Sequence, residues 1–299
     1  MLQLHQNRRD PAEQVSQADS EEVLKKREKK INERLDKLYD DLGGYGLYQV
    51  LITLCFLCCN KAMSIILINL SFLEKVPEEY FCTYSDRPGQ FPCKPKDFCD
   101  DPNVTSYTPN MAHPESYDNW VQKLDLTCAG PQKIGLIASS YFIGWVITLT
   151  FLPRISDLYG RQKLIVGGNI IQLIGMAIIL TTNSYRLMIA AIVMEGLVAT
   201  VRQQVSVIYL YESFRNMHYA ATFGIVNCCE GLFGICGALY FLFISKSWFY
   251  LVLFAFVLQV IGTIGCMFYH ESPKYLIASG QLDRAYQVFK SIAYMNKAD

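Results

Sequence analysis

Apolar residues in this sequence come in long runs rather than alternating with polar ones. A helix in a soluble core shows a polar face every three to four residues, whereas Ile170–Leu180 and Leu251–Val257 show almost none. Crossing about 30 Å of hydrocarbon takes roughly 20 apolar residues. Six segments qualify: Tyr48–Leu73, Ile134–Leu152, Leu164–Leu180, Leu187–Leu210, Tyr219–Ile244 and Trp248–Phe268. The pattern predicts an all-α membrane protein with six transmembrane helices. Its organisation reads as an amphipathic tail at 1–46, a first span at 47–73, an outer loop at 74–133, further spans within 134–270 and an inner-side helical segment at 271–299.

The tail is of different material. Lys25–Lys30 is a basic run interleaved with Glu21, Glu22, Glu28 and Glu33, which fits neither a mitochondrial presequence nor a secretory signal. Leu24, Ile31, Leu35 and Leu38 fall on one helical face. Ser20 with Glu21 and Glu22 suits a helix start, and Gly43-Gly44 a stop. Such a helix is either solvated or docked on a partner or the membrane surface.

Composition sharpens the membrane reading. Of 299 residues, 52% are hydrophobic and 18% charged, against about 25% charged in a typical globular chain. The 27 basic residues are balanced by 27 acidic ones, which removes the electrostatic case for nucleic acid as a partner. The apolar content excludes disorder beyond the tail. Arg154, Arg161, Lys163 and Arg215 lie in loops on one side, and only Arg186 and Lys246 in the short loops opposite, which predicts an inner N-terminus.

The long loop holds Cys82, Cys93, Cys99 and Cys128, and the other seven cysteines lie within predicted spans. Four cysteines in a loop with little capacity for a core suggest two disulfides in an oxidising compartment, with three possible connectivities. Zinc is the rival, but paired C-x2-C spacing is absent and only His113 is near, so no metal is expected. Asn103-Val104-Thr105 is an N-glycosylation sequon.

Four short motifs stand at ordered places on this pattern. Leu42-Gly43-Gly44-Tyr45-Gly46-Leu47-Tyr48-Gln49 enters the first span, and Trp120-Val121-Gln122-Lys123-Leu124-Asp125-Leu126-Thr127-Cys128 closes the loop. Asp157-Leu158-Tyr159-Gly160-Arg161-Gln162-Lys163 joins spans two and three, and Glu271-Ser272-Pro273-Lys274-Tyr275-Leu276 follows span six. Together they resemble the N-terminal half of an organic cation/anion transporter of the major facilitator superfamily, over nearly the whole chain after residue 40. The resemblance implies six spans of a twelve-span fold, a cysteine-containing loop between helices 1 and 2, and transport of small organic ions or solutes by alternating access. It also implies that spans one, two, four and five line a cavity, while a second six-helix half or partner chain supplies the other wall. There are departures. Pro153 stands where the family has glycine, Leu158 and Gln162 replace basic residues, and the fourth span reads Ile192-Val193-Met194-Glu195-Gly196 without the family's arginine. The stretch Tyr211–His218 has its basic residues displaced.

Ionisable groups inside a membrane are costly and normally face a cavity or a partner. Lys61, Glu195, Arg202 and Glu230 are such groups, with Asn60 and Asn227 beside them. They are the substrate-cavity candidates; the plainer alternative is that Lys61 and Glu230 simply pair to hold helices together. Asp157, Gly160, Arg161, Glu212, Glu271 and Lys274 are gating-loop candidates by the resemblance, with turn formation and ordinary interfacial charge as the alternative. No P-loop, G-x-S-x-G or H-E-x-x-H pattern occurs, so neither an enzyme nor a cofactor is expected.

Two readings follow. In the first the chain transports a small organic solute together with a second half. In the second it is a degenerate half-transporter serving as a structural accessory subunit of a larger membrane complex, which the altered loop motifs would suit. The disulfides and sequon favour the plasma membrane or endomembranes, and the mitochondrial inner membrane is the other possibility.

Overall fold

The computed structural model describes residues 33–298 except Pro88. Ser20 with its acidic neighbours, the basic run Lys25–Lys30, Leu24 and Ile31 lie outside the described residues. The first described helix, α1 (33–41), stops at Gly43 and Gly44, whose φ values of +92° and +60° only glycine adopts without strain.

Five helices are long and apolar enough to cross a membrane: α2 (Leu47–Ile68), α6 (Pro131–Leu149), α8 (Arg161–Thr181), the residues His218–Ile244, and α12 (Trp248–Met267). The stretch expected as a fourth span differs. It is built of α9 (Tyr185–Thr200), a π-helical turn (Val201–Val205) and α10 (Ser206–Ser213), so no single regular helix there reaches spanning length. α11 (Asn216–Leu239) likewise passes into a π-helical turn at Tyr240–Ile244. The expected second span ends early because Pro153 opens a separate helix, α7 (Leu152–Tyr159). The first span also divides, into α2 and the single turn α3 (Leu70–Leu73).

α2 packs on α12 and α11, α6 on α9, and α8 between α9 and α12. The α6–α9 contact is backbone-close. A Cβ at Gly196 would strike the Tyr141 carbonyl, and one at Gly144 the Val193 carbonyl. Small residues permit this approach where apolar burial offers no drive between helices.

The loop is more structured than its composition predicts. β1 (Tyr80–Tyr84), β2 (Gln90–Cys93) and β3 (Val104–Pro109) form an antiparallel sheet in the order β2-β1-β3. Tyr80, Cys82, Cys93 and Phe98, the last on the turn α4 (Pro95–Phe98), make a small core of their own. A second turn, α5 (Trp120–Lys123), fastens the loop to the bundle. Asn119 caps α5 and donates to the carbonyls of Phe72 (3.0 Å) and Lys75 (2.6 Å). Lys123 donates to the Ile179 and Leu180 carbonyls, both at 3.0 Å, neutralising the C-terminal end of α8.

The tail helix docks on its own chain. Tyr39 is buried against Phe289 of α14 (Leu282–Asn296), and its hydroxyl donates to the Glu212 carbonyl at 2.8 Å. Asp40 pairs with Arg215 at 2.9 Å. Asn296 completes the clasp, accepting from Tyr48 N (2.9 Å) and donating to the Leu42 carbonyl (3.1 Å).

Candidate functional site

Two polar constellations lie along the bundle. The first sits where α7 turns into α8. Gly160 holds φ +99°, and a Cβ there would collide with the Glu271 carboxylate. That carboxylate accepts from the backbone N–H of Arg161 (3.0 Å) and Gln162 (3.2 Å), so Glu271 caps α8 from a distant part of the chain. Arg161 is buried and reaches two acids: Asp157 at 3.1 Å and Glu212 at 2.7 Å. Its guanidinium also lies 5.0 Å from the Tyr275 ring centroid. Ser272 caps α13 (Pro273–Ala278) by accepting from Tyr275 N.

Lys274 rests over the Tyr211 ring at 4.9 Å. Burial pulls its ammonium below the ordinary lysine range, although Asp36 and Glu212 oppose the shift. Burial raises the Glu212 carboxyl, against the stabilising effects of Ser272, Arg161 and Lys274. The six gating-loop candidates therefore meet in one network. Gln162, whose backbone N–H bonds Glu271, also donates its side-chain amide to the Tyr269 carbonyl at 2.6 Å.

The second constellation lies within the bundle, and there the candidates separate. Lys61 of α2 is buried and pairs with Glu230 of α11 at 2.7 Å, while Ser64 donates to the other Glu230 oxygen at 3.1 Å. Asn227, one turn earlier on α11, is exposed. Arg202 stands on the π-helical turn, 4% exposed, and donates to the Tyr141 hydroxyl at 2.5 Å; its Nε has no partner among the described residues. Asn60 donates to the Arg202 carbonyl at 3.1 Å. Glu195 of α9 lies against Gly175 of α8.

Beside Asn60 and Arg202 is a cavity of about 20 Å³, lined also by Asn169, Ser206 and Tyr209. That admits a single water, not an organic solute. Tyr141 and Ser64 do not stand out in the sequence. Being uncharged, they carry no desolvation signal of the kind that marks an intramembrane lysine. In the loop, the structure pairs Cys82 with Cys93 and Cys99 with Cys128. The Asn103 side chain is exposed just before β3. Among the described residues no group of three or more His, Cys, Asp or Glu could hold a metal ion.

Apolar helices of spanning length around buried charges define an integral membrane protein. Residues 103–295 match the Major Facilitator Superfamily, and the chain belongs to it. Members of that family are transporters rather than enzymes, and membrane transport of small solutes is the activity the match suggests. No curated protein matches the chain.

Proposed function

We propose that the chain forms one wall of a transporter for small organic ions or solutes, working by alternating access against a second six-helix half or a partner chain. In this reading the helical run from Tyr185 to Ser213 serves as the remaining span, its π-helical turn placing Arg202 toward the substrate path. The observation that carries the proposal is the open polar face of α11. The membrane-crossing part of this helix is 17% buried, against 61% for α2, yet it holds the Glu230 end of an ion pair and the exposed Asn227. A polar stripe on the least covered helix suits a path between two walls. The network of Arg161, Glu212 and Glu271 would clamp one state of the cycle. The organic-ion subtype rests on the loop and helix-end motifs. The loop disulfides and exposed sequon suit a plasma-membrane or endomembrane location.

The test is uptake into proteoliposomes of a small quaternary ammonium (tetraethylammonium) and a small aromatic carboxylate (benzoate). Saturable uptake of either, reduced at least tenfold by Lys61→Gln, is expected. Absence of uptake, with unrelated membrane proteins crosslinked to α11, would leave the accessory-subunit reading in its place.

A further inference from the structure

Of the four ionisable side chains inside the bundle, three have partners. Lys61 and Glu230 hold each other, and Arg202 bonds Tyr141. Glu195 is 1% exposed, and neither carboxylate oxygen has a hydrogen-bond partner among the described residues. Its side chain occupies the space left by the missing Cβ of Gly175, turned toward α8 and away from the α6 contact made by Gly196. One turn before Gly175 stands Gln172, also 1% exposed, with both amide atoms unpartnered. The elements packed on α9 are α6, α8 and the π-helical turn. Their titratable groups are Tyr141 and Lys133 on α6, Arg161 and Lys163 at the start of α8, and Arg202 on the turn. Tyr141 and Arg202 bond one another, Lys133 and Lys163 sit near helix ends, and Arg161 is held by Asp157 and Glu212.

A charged carboxylate sealed from water with no donor is among the costliest arrangements a protein can hold, and such a group neutralises instead. The neighbouring amide points the same way. A primary amide offers one acceptor and one donor edge. A carboxylic acid matches both, while a carboxylate can only accept. We infer that Glu195 is a proton-binding site of this protein, holding a proton while it rests on Gly175 and releasing it when it leaves α8 for the free Nε of Arg202 on the π-helical turn. Loss of the proton turns an acid that fits beside Gln172 into an anion drawn to a guanidinium, so one proton is linked to a shift of α9 against α8. The link to solute movement rests on the transporter reading; the protonation does not, and it is tested without a substrate.

The measurement is infrared difference spectroscopy of the purified full chain in lipid nanodiscs across a pH series. The carbonyl stretch of a protonated carboxyl group in a dry site is expected at neutral pH and should fade as the solution is made alkaline. It should vanish in Glu195→Gln and persist in Glu230→Gln, in Glu212→Gln and in Glu74→Gln, the last two removing acids outside the spans whose carboxyl groups burial raises. Thermal stability of the wild type should decline as pH rises above about 4, and Glu195→Gln should lose part of that decline, the part due to Glu74 remaining. Absence of a protonated-carboxyl band in the wild type at neutral pH overturns the inference, whether or not any variant folds. A band that survives Glu195→Gln and disappears in Glu74→Gln overturns it equally. Proton binding with no solute uptake would leave Glu195 as assigned and count against the transporter reading alone.

Discussion

A carboxyl group that loses water without gaining donors keeps its proton to higher pH. Glu74, at the loop-side end of α3, is such a group outside the spans: its Oε1 is buried and unpartnered, and burial raises it to about 7. In the unfolded chain it would release its proton near the ordinary value of about 4.3. Between those values the folded protein holds a proton that the unfolded chain has lost, so stability declines as pH rises through that window and levels off above it. Glu74→Gln should flatten the decline and melt higher than the wild type above neutral pH, with no advantage below about pH 4. Thermal melts in detergent over a pH series decide it; parallel wild-type and variant curves would count against it. Gly160 makes a second demand at this scale. Its φ of +99° and its contact with the Glu271 carboxylate both exclude a side chain. Gly160→Ala should lower stability by about 1–3 kcal/mol and loosen the start of α8, read as faster amide exchange at Arg161 and Gln162. Unchanged exchange there would mean that Glu271 shifts aside without consequence.

Helices declare themselves in the sequence when burial is achieved by length alone. α2, α6, α8, the run ending at Ile244 and α12 are all legible as apolar stretches, because lipid requires no polar face to betray their phase. Interruptions are less visible. The π-helical turn at Tyr240–Ile244 is wholly apolar, and Arg202, Gln203 and Gln204 of the turn at Val201–Val205 read only as polar residues within a span, not as a change of pitch. The sheet in the loop is hidden for another reason: its strands are short, and their core is closed partly by cysteines rather than by an alternating apolar pattern. The intramembrane charges are legible by their cost. Their neutral partners Ser64 and Tyr141 are not. The docking of α1 depends on Glu212, Arg215 and Phe289, far away in sequence. The loop supports a prediction of its own. Cys99–Cys128 spans 29 residues and Cys82–Cys93 spans 11. Chain-entropy reasoning gives the longer bridge the larger effect, about 1 kcal/mol more within a typical 2–4 kcal/mol. Cys99→Ser with Cys128→Ser should therefore raise amide exchange across β1 and β3 more than the corresponding change at Cys82 and Cys93. The reverse order would show that the small sheet, not the wider loop, is what the bridges hold.

Taken as a whole molecule, the bundle covers its helices unequally, and Glu230 and Asn227 fall on the least covered of the five. α11 is the most open of the membrane-crossing helices and carries the far end of the Lys61–Glu230 pair, whose glutamate is 33% exposed. Breaking a fully buried pair costs about 3–5 kcal/mol because one charge is left stranded. Partial exposure should bring Lys61→Gln to or below the lower end of that range, and Lys61→Gln combined with Glu230→Gln should recover most of the loss. A double variant no more stable than the single one would mean that the two residues act separately. The same exposure bears on what lies outside. A central charge in lipid costs roughly 2.5–3.5 kcal/mol on insertion scales, and the exposed Asn227 adds an amide with no water to bind. Hydrocarbon is therefore a poor neighbour for this face, and protein or a water-filled path a good one. A photo-crosslinking residue in place of Gly231, four residues after Asn227 on the same face of α11 and with open space around an added side chain, reports which is present. In native membranes it should capture protein, and a chain solubilised gently should migrate as an assembly larger than one copy. Crosslinks to lipid alone, with a monodisperse single copy in solution, would mean that the polar face closes on itself and that no second wall is needed.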